Sequence, residues 1–178
     1  MAEILQTLDQ IEDFFADLIT EILKVESNTV QIAFPQEGRP SFTKDQDVIY
    51  LYVYPEADER DAYKHRTKVY NDQDETYTYT QHSQRTLILN IMAYGPNCYE
   101  NCVKISNIMY FENNRITLLQ NYLALVPDHT IGPTRLPEQH NGQWWKRCDL
   151  KLRFYNAINV EDTVSSFVDV NINVEVNQ

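Results

Sequence analysis

Glycine is scarce here, with 4 in 178 residues, and the four are scattered at positions 38, 95, 132 and 142. Neither a GxGxxG turn nor a GxxxxGK[ST] loop can be assembled from them, which excludes the usual phosphate cradles. HExxH and GxSxG are also absent, so the common zinc-peptidase and serine-hydrolase templates have no foothold. Cysteine is limited to Cys98, Cys102 and Cys148. An odd number without a secretory signal argues against a disulfide framework. Cys98 and Cys102 are four apart, on one face of a predicted helix, and no Cys or His pair offers further zinc ligands, so they are expected to pack in a core. No apolar run reaches the roughly 18 residues that span a bilayer. The first residues lack a basic start followed by an apolar block, which predicts no signal peptide. The expectation is a soluble protein made in a cytoplasm, without membrane, metal or cofactor.

Basic residues are the next shortage. The net charge is −11, and it is unevenly spread. Up to Ala62 there are 14 acidic and 4 basic side chains, a net of −10; from Tyr63 onward there are 12 acidic and 11 basic, a net of −1. Nucleic-acid binders need a clustered basic face, because phosphate neutralisation dominates their affinity. The excess of carboxylates reads either as a solvated helix face or as a surface that DNA passes without sticking.

What is present is strong periodicity. Ile4, Leu5, Leu8, Ile11, Phe14, Phe15, Leu18, Ile19, Ile22 and Leu23 recur at three- and four-residue steps. They predict an amphipathic helix of about six turns, with Glu12, Asp13, Asp17 and Glu21 on its other side. Thr29–Phe34 alternates as a short strand, Pro35–Asp45 reads as a loop, and VIYLYVY at Val48–Tyr54 is a strand that Pro55 ends. Residues 56–83 predict an extended hairpin arm. Tyr63–Tyr70 and Thr76–Thr80 have strand propensity around the turn signal Asn71-Asp72-Gln73-Asp74. Lys64, Arg66 and Lys68 share one face of the first strand, and Tyr77 and Tyr79 share one on the return. Neither strand has a large aliphatic face, and an isolated two-stranded hairpin is marginal in water, so the arm is expected to need a partner surface. A disordered loop is the other reading that its polar composition allows.

Thr86–Tyr94 predicts a core strand, with Leu87, Leu89, Ile91 and Ala93 on one face. Gly95-Pro96-Asn97 breaks it and opens a helix carrying Cys98, Cys102, Ile105, Ile108 and Met109. A short helical stretch around Arg115–Asn121 leads to Leu123–Val126, and Pro127–Gln143 reads as a loop. Trp145–Tyr155 alternates as a half-buried strand, Asn156–Ser165 reads as a connection, and Val168–Val176 alternates again. The predicted fold class is α+β. A mixed, mainly antiparallel sheet packs against the N-terminal helix and a second helix on one face, with a protruding β-hairpin arm, in a single domain over 1–178. His65, His82, His129 and His140 all sit in polar or loop contexts and give no general-base geometry. Trp144-Trp145 could form a sugar or base platform, but after the Asn141-Gly142 turn signal an anchor role is the simpler reading.

From Ser83 to Val176 the order of features resembles the phage tail-terminator and neck-terminator families. The carrying residues are TLILNIMAYG ending in Ala93-Tyr94-Gly95, the Pro96-Asn97 helix start and the Ile131-Gly132-Pro133 loop. WWKRCDLKLRFYNAINV with Arg147 and the closing FVDVNINVEV complete the series. The resemblance implies a non-enzymatic virion protein. It implies a ring, usually of six subunits, that caps the tail tube, stops its polymerisation and joins it to the head-tail connector. The implied partners are further copies of the chain, the tail tube protein, the connector or neck protein and the tail sheath, with DNA passing through the lumen unbound. Subunit or tube contacts are expected at Lys64, Arg66, Lys68, Tyr70, Tyr77, Tyr79, Trp144, Lys151 and Arg153. A connector adaptor or tube-like subunit would share the arms and fold style. A small carboxylate-dependent enzyme would instead need two carboxyl groups about 5–10 Å apart across a cleft.

Overall fold

The computed structural model describes residues 6–34, 42–127, 132–140 and 142–165. Helix α1 runs Leu8–Leu23. Its start is a capping box: Gln10 N–H donates to Thr7 Oγ1 at 3.2 Å, and Thr7 N–H donates to Gln10 Oε1 at 3.0 Å. It ends at Lys24, which turns left-handed at φ 57°. The 16 residues make about four and a half turns, shorter than the apolar repeat suggests; Ile4 and Leu5 lie outside the described residues.

The strands are β1 (Val30–Ile32), β2 (Val48–Glu56), β3 (Lys64–Asn71), β4 (Thr76–Tyr94), β5 (Leu123–Val126), β6 (Thr134–Arg135), β7 (Glu138–His140), β8 (Gln143–Trp145) and β9 (Arg147–Ser165). Helices α2 (Cys98–Ile108) and α3 (Glu112–Gln120) lie between β4 and β5. The main sheet has the order β1-β2-β4-β9-β5, with β3 also on β4 and β6 also on β9. Only β1–β2 is parallel among the described pairs. The fold is the expected α+β arrangement, a mixed and mostly antiparallel sheet with α1 and α2 on one face.

Three local expectations fail. First, β2 continues through Pro55 to Glu56. Val53 N–H points away from β4 and donates to Glu12 Oε1 at 2.7 Å, and two residues on, the missing N–H of Pro55 falls on that same outer side, where no ladder bond is lost. Second, part of the stretch 127–143 pairs: β6 joins β9, and β7 and β8 form their own two-stranded sheet. Third, Asn156–Ser165 is not a connection. It is the second half of β9, paired in register with Thr76–Arg85 of β4.

The core lies between the helices and the sheet. Ile11, Phe15, Leu18 and Ile19 of α1 meet Ile49, Leu51 and Val53 of β2, Leu87, Leu89, Ile91 and Ala93 of β4, and Leu150, Leu152 and Phe154 of β9. Cys98, Cys102 and Cys148 form no disulfide and are buried in the same cluster, as the four-residue spacing of the first two suggested for that pair. Burial pushes the Cys102 thiol far up, which keeps it an inert packing group.

Glu12 blunts the open edge of β2 through Val53, and burial raises its carboxyl above the ordinary 4.5 despite that hydrogen bond. A raised carboxyl means that the native state resists ionisation. This contribution to stability is greatest below the ordinary value and is lost as pH climbs through the raised one. Glu12→Gln keeps an acceptor for Val53 without the charge. Thermal unfolding should therefore show a higher Tm than wild type at neutral pH, with the difference vanishing below the ordinary carboxylate range. A lower Tm at neutral pH would show that the charge-assisted bond outweighs desolvation.

Candidate functional site

Residues 64–85 and 156–165 stand out because, among the described residues, they have sheet but no helix layer. β4 and β9 are each 19 residues long, and only their second and first halves respectively, at Thr86–Tyr94 and Arg147–Tyr155, carry the core. Their other halves run on together as an arm, and β3 adds the third strand. The arm is thus a three-stranded ribbon, not the isolated hairpin that the sequence predicts. The third strand adds main-chain pairing that a two-stranded hairpin lacks. The β3–β4 turn is tied by Asn71, whose Nδ2 donates to Asp74 Oδ2 at 2.6 Å while its Oδ1 accepts from Gln73 N–H at 3.1 Å.

The register sorts the arm into two faces. One is polar and internally bonded. His82 Nδ1 lies 2.8 Å from Asn159 Oδ1, its Nε2 lies 3.2 Å from Thr67 Oγ1, and Thr80 is buried beside Glu161. The other face collects Lys64, Arg66, Lys68 and Tyr70 from β3, Tyr77, Tyr79 and Gln81 from β4, and Ile158, Val160, Asp162 and Val164 from β9. Lys68 Nζ sits 3.6 Å from the Tyr77 ring centroid, and the Tyr70 and Tyr77 rings are 4.8 Å apart. Val160 and Val164 remain 39% and 43% exposed. No described strand pairs with the outer side of β3, or of β9 beyond Ala157.

Six of the nine expected contact residues therefore meet on one surface: Lys64, Arg66, Lys68, Tyr70, Tyr77 and Tyr79. The other three do not join them. Lys151 and Arg153 lie on the opposite face of the sheet, and Arg153 reaches across β4 to Glu56 at 2.7 Å. Trp144 is on β8, 68% exposed, in the small separate sheet. There Arg147 clamps the sheet to the core strands: it bonds Asp149 at 2.7 and 2.8 Å and Glu138 at 3.0 Å, and Glu138 also accepts from Tyr94 Oη. The Asp149 bonds raise Arg147 further, and burial with the Glu138 contact pushes Tyr94 up to about 12, so both keep their protons.

Sequence reasoning missed two apolar surfaces. One is the Ile158, Val160 and Val164 row of the arm, whose alternation was the available signal. The other is α3, where Phe111 and Leu119 are 61% and 60% exposed on the side that also carries Arg115. A recess of about 230 Å³ beside α2 is lined by Pro96, Cys98, Tyr99, Glu100, Arg135 and Lys146 among others, and burial pushes the Cys98 thiol up, away from a reactive thiolate. Among the described residues no group of three or more His, Cys, Asp or Glu could hold a metal ion, and no helix is long and apolar enough to cross a membrane.

A family model described as phage neck terminator protein matches residues 9–178. No curated protein matches the chain.

Proposed function

The chain belongs to the phage neck terminator protein family and is accordingly a structural protein of the phage neck; from this premise we propose that it works as one segment of a closed ring of six subunits. The ring caps the tail tube, stops its polymerisation and joins it to the head-tail connector. Its partners are its own copies, the tube protein and the connector or neck protein, with the sheath as a further neighbour. It is assembled in the host cytoplasm and resides in the virion.

The observation that carries this reading is the arm. Among the described residues it has no helix layer and no strand paired to its outer edges, and it carries a face of cations, tyrosines and valines. A surface of this kind suits a neighbour of different shape. Head-to-tail contacts between unlike surfaces close into a ring when the rotation fits, and open edges supply main-chain hydrogen bonds for it. The acidic excess before Tyr63 supports a lumen lined by acidic or neutral side chains, past which DNA moves without capture.

Native mass spectrometry should find a hexamer, either of the protein alone or after incubation with assembled tail tubes. A monomer or a simple dimer under both conditions overturns the ring. In gel-shift assays at physiological ionic strength the protein should leave duplex DNA unshifted. A shift that weakens steeply with salt would identify a DNA-binding neck component instead.

A further inference from the structure

Helix α1 presents a stripe that its own fold leaves unbalanced. Asp9, Asp13, Asp17 and Glu21 follow one another at four-residue steps and all are exposed, opposite the buried Ile11, Phe15, Leu18 and Ile19. Like charges at that spacing face each other and destabilise a helix. Among the described residues none of the four forms an ion pair. The arm carries the opposite imbalance. Lys64, Arg66 and Lys68 are exposed in one row of β3, and none forms an ion pair among the described residues.

The two rows match in length. Lys64 to Lys68 is four strand residues, about 13 Å, and Asp9 to Asp17 is eight helical residues, about 12 Å. They also match in position. The basic row lies on the same face of the sheet that α1 covers, and α1 stops short of it. Arg85 at the root of the arm donates to the carbonyl of Gln6, just before α1 begins, at 2.6 Å. Beyond that point no helix covers this face of the arm among the described residues.

We propose that the acidic stripe of α1 in one copy docks on the Lys64, Arg66 and Lys68 row of the arm in the next copy. This rests on the ring reading and names its contact. The neighbour's helix supplies the missing layer, Tyr70, Tyr77 and Tyr79 flank the ion pairs, and the free edges remain outside. Because helix and arm belong to different parts of the chain, each copy offers both halves and the contact propagates head-to-tail. The carboxylates of α1 then lie between subunits.

The test is a charge swap in the full chain, read by native mass spectrometry and by sedimentation at low and high salt, with circular dichroism to verify folding. One variant combines Asp9→Lys, Asp13→Lys and Asp17→Lys; the other combines Lys64→Glu, Arg66→Glu and Lys68→Glu. Each alone should weaken assembly at least tenfold, and the sixfold combination should restore it. Asp13→Lys by itself should raise the Tm of the monomer, by turning two repulsions into attractions, while weakening assembly. Rings that persist in both triple variants overturn the docking and leave the ring standing. Disruption by the arm variant alone, or failure of the folded combination to reassemble, also overturns it. A wild-type chain that never forms rings, even on tubes, overturns the ring reading itself.

Discussion

Phe154→Ala should lower the free energy of unfolding by about 4 kcal/mol, the cost typical of deleting a buried aromatic ring. Phe154 is 0% exposed, opposite Leu87 on β4 and Leu125 on β5, and its ring centroid is 4.8 Å from that of Phe15 in α1. It is the point at which helix and sheet layers interlock, so the cavity has walls from several elements and cannot collapse by moving one of them. At roughly 2–4 °C per kcal/mol for a chain of this size, the Tm should fall by about 8–16 °C. Phe154→Leu retains most of the volume and should cost about 1.5 kcal/mol. Urea titration of the three proteins decides the matter. A loss below about 1 kcal/mol for the alanine variant would mean that α1 does not depend on β9 for its docking.

The second large effect is expected at Gly95, where Ala should cost about 3 kcal/mol or more from backbone strain and overpacking together. Gly95 has φ +107°, a conformation that side chains resist, and a Cβ there would meet the backbone carbonyl of Gln46, with Asp47 Oδ1 at 2.5 Å and Asp47 Cα at 2.8 Å. The closeness has a purpose. Asp47 accepts from Asn97 N–H at 2.9 Å and from Asn97 Nδ2 at 2.7 Å, so the segment before β2 is strapped onto the start of α2. A side chain at position 95 would push that strap away and loosen the α2 N-terminus with it. The check is chemical denaturation, together with hydrogen exchange of the α2 amides. An unchanged midpoint and unchanged α2 protection would show that the strap yields at no cost.

Several features were determined by the sequence alone, for local reasons. The apolar stripe of α1 and the alternation of Thr86–Tyr94 and Cys148–Phe154 define which face each element buries, because side-chain direction follows directly from helical and extended geometry. The Ala93-Tyr94-Gly95-Pro96-Asn97 stop and the α+β layering follow from that pattern. So does the prediction that Lys64, Arg66 and Lys68 share a face. What only the tertiary structure decided is where pairing partners come from. Asn156–Ser165 mixes Asn, Asp, Glu and Ser with Ile158, Val160 and Val164, and reads as a connection by propensity. It is a strand because Thr76–Arg85, about 80 residues earlier, lies alongside it, and that energy belongs to the pair and not to either segment. The local β3–β4 hairpin register brings Tyr77 and Tyr79 next to the basic row, while the β4–β9 register adds Val160 and Val164 to that face and leaves Lys151 and Arg153 on the other face of the sheet. Gly95 shows the same division. A glycine after a strand signals a turn in any sequence, but the reason that nothing larger fits there is the backbone of residues 46–47, which arrives only when the chain folds.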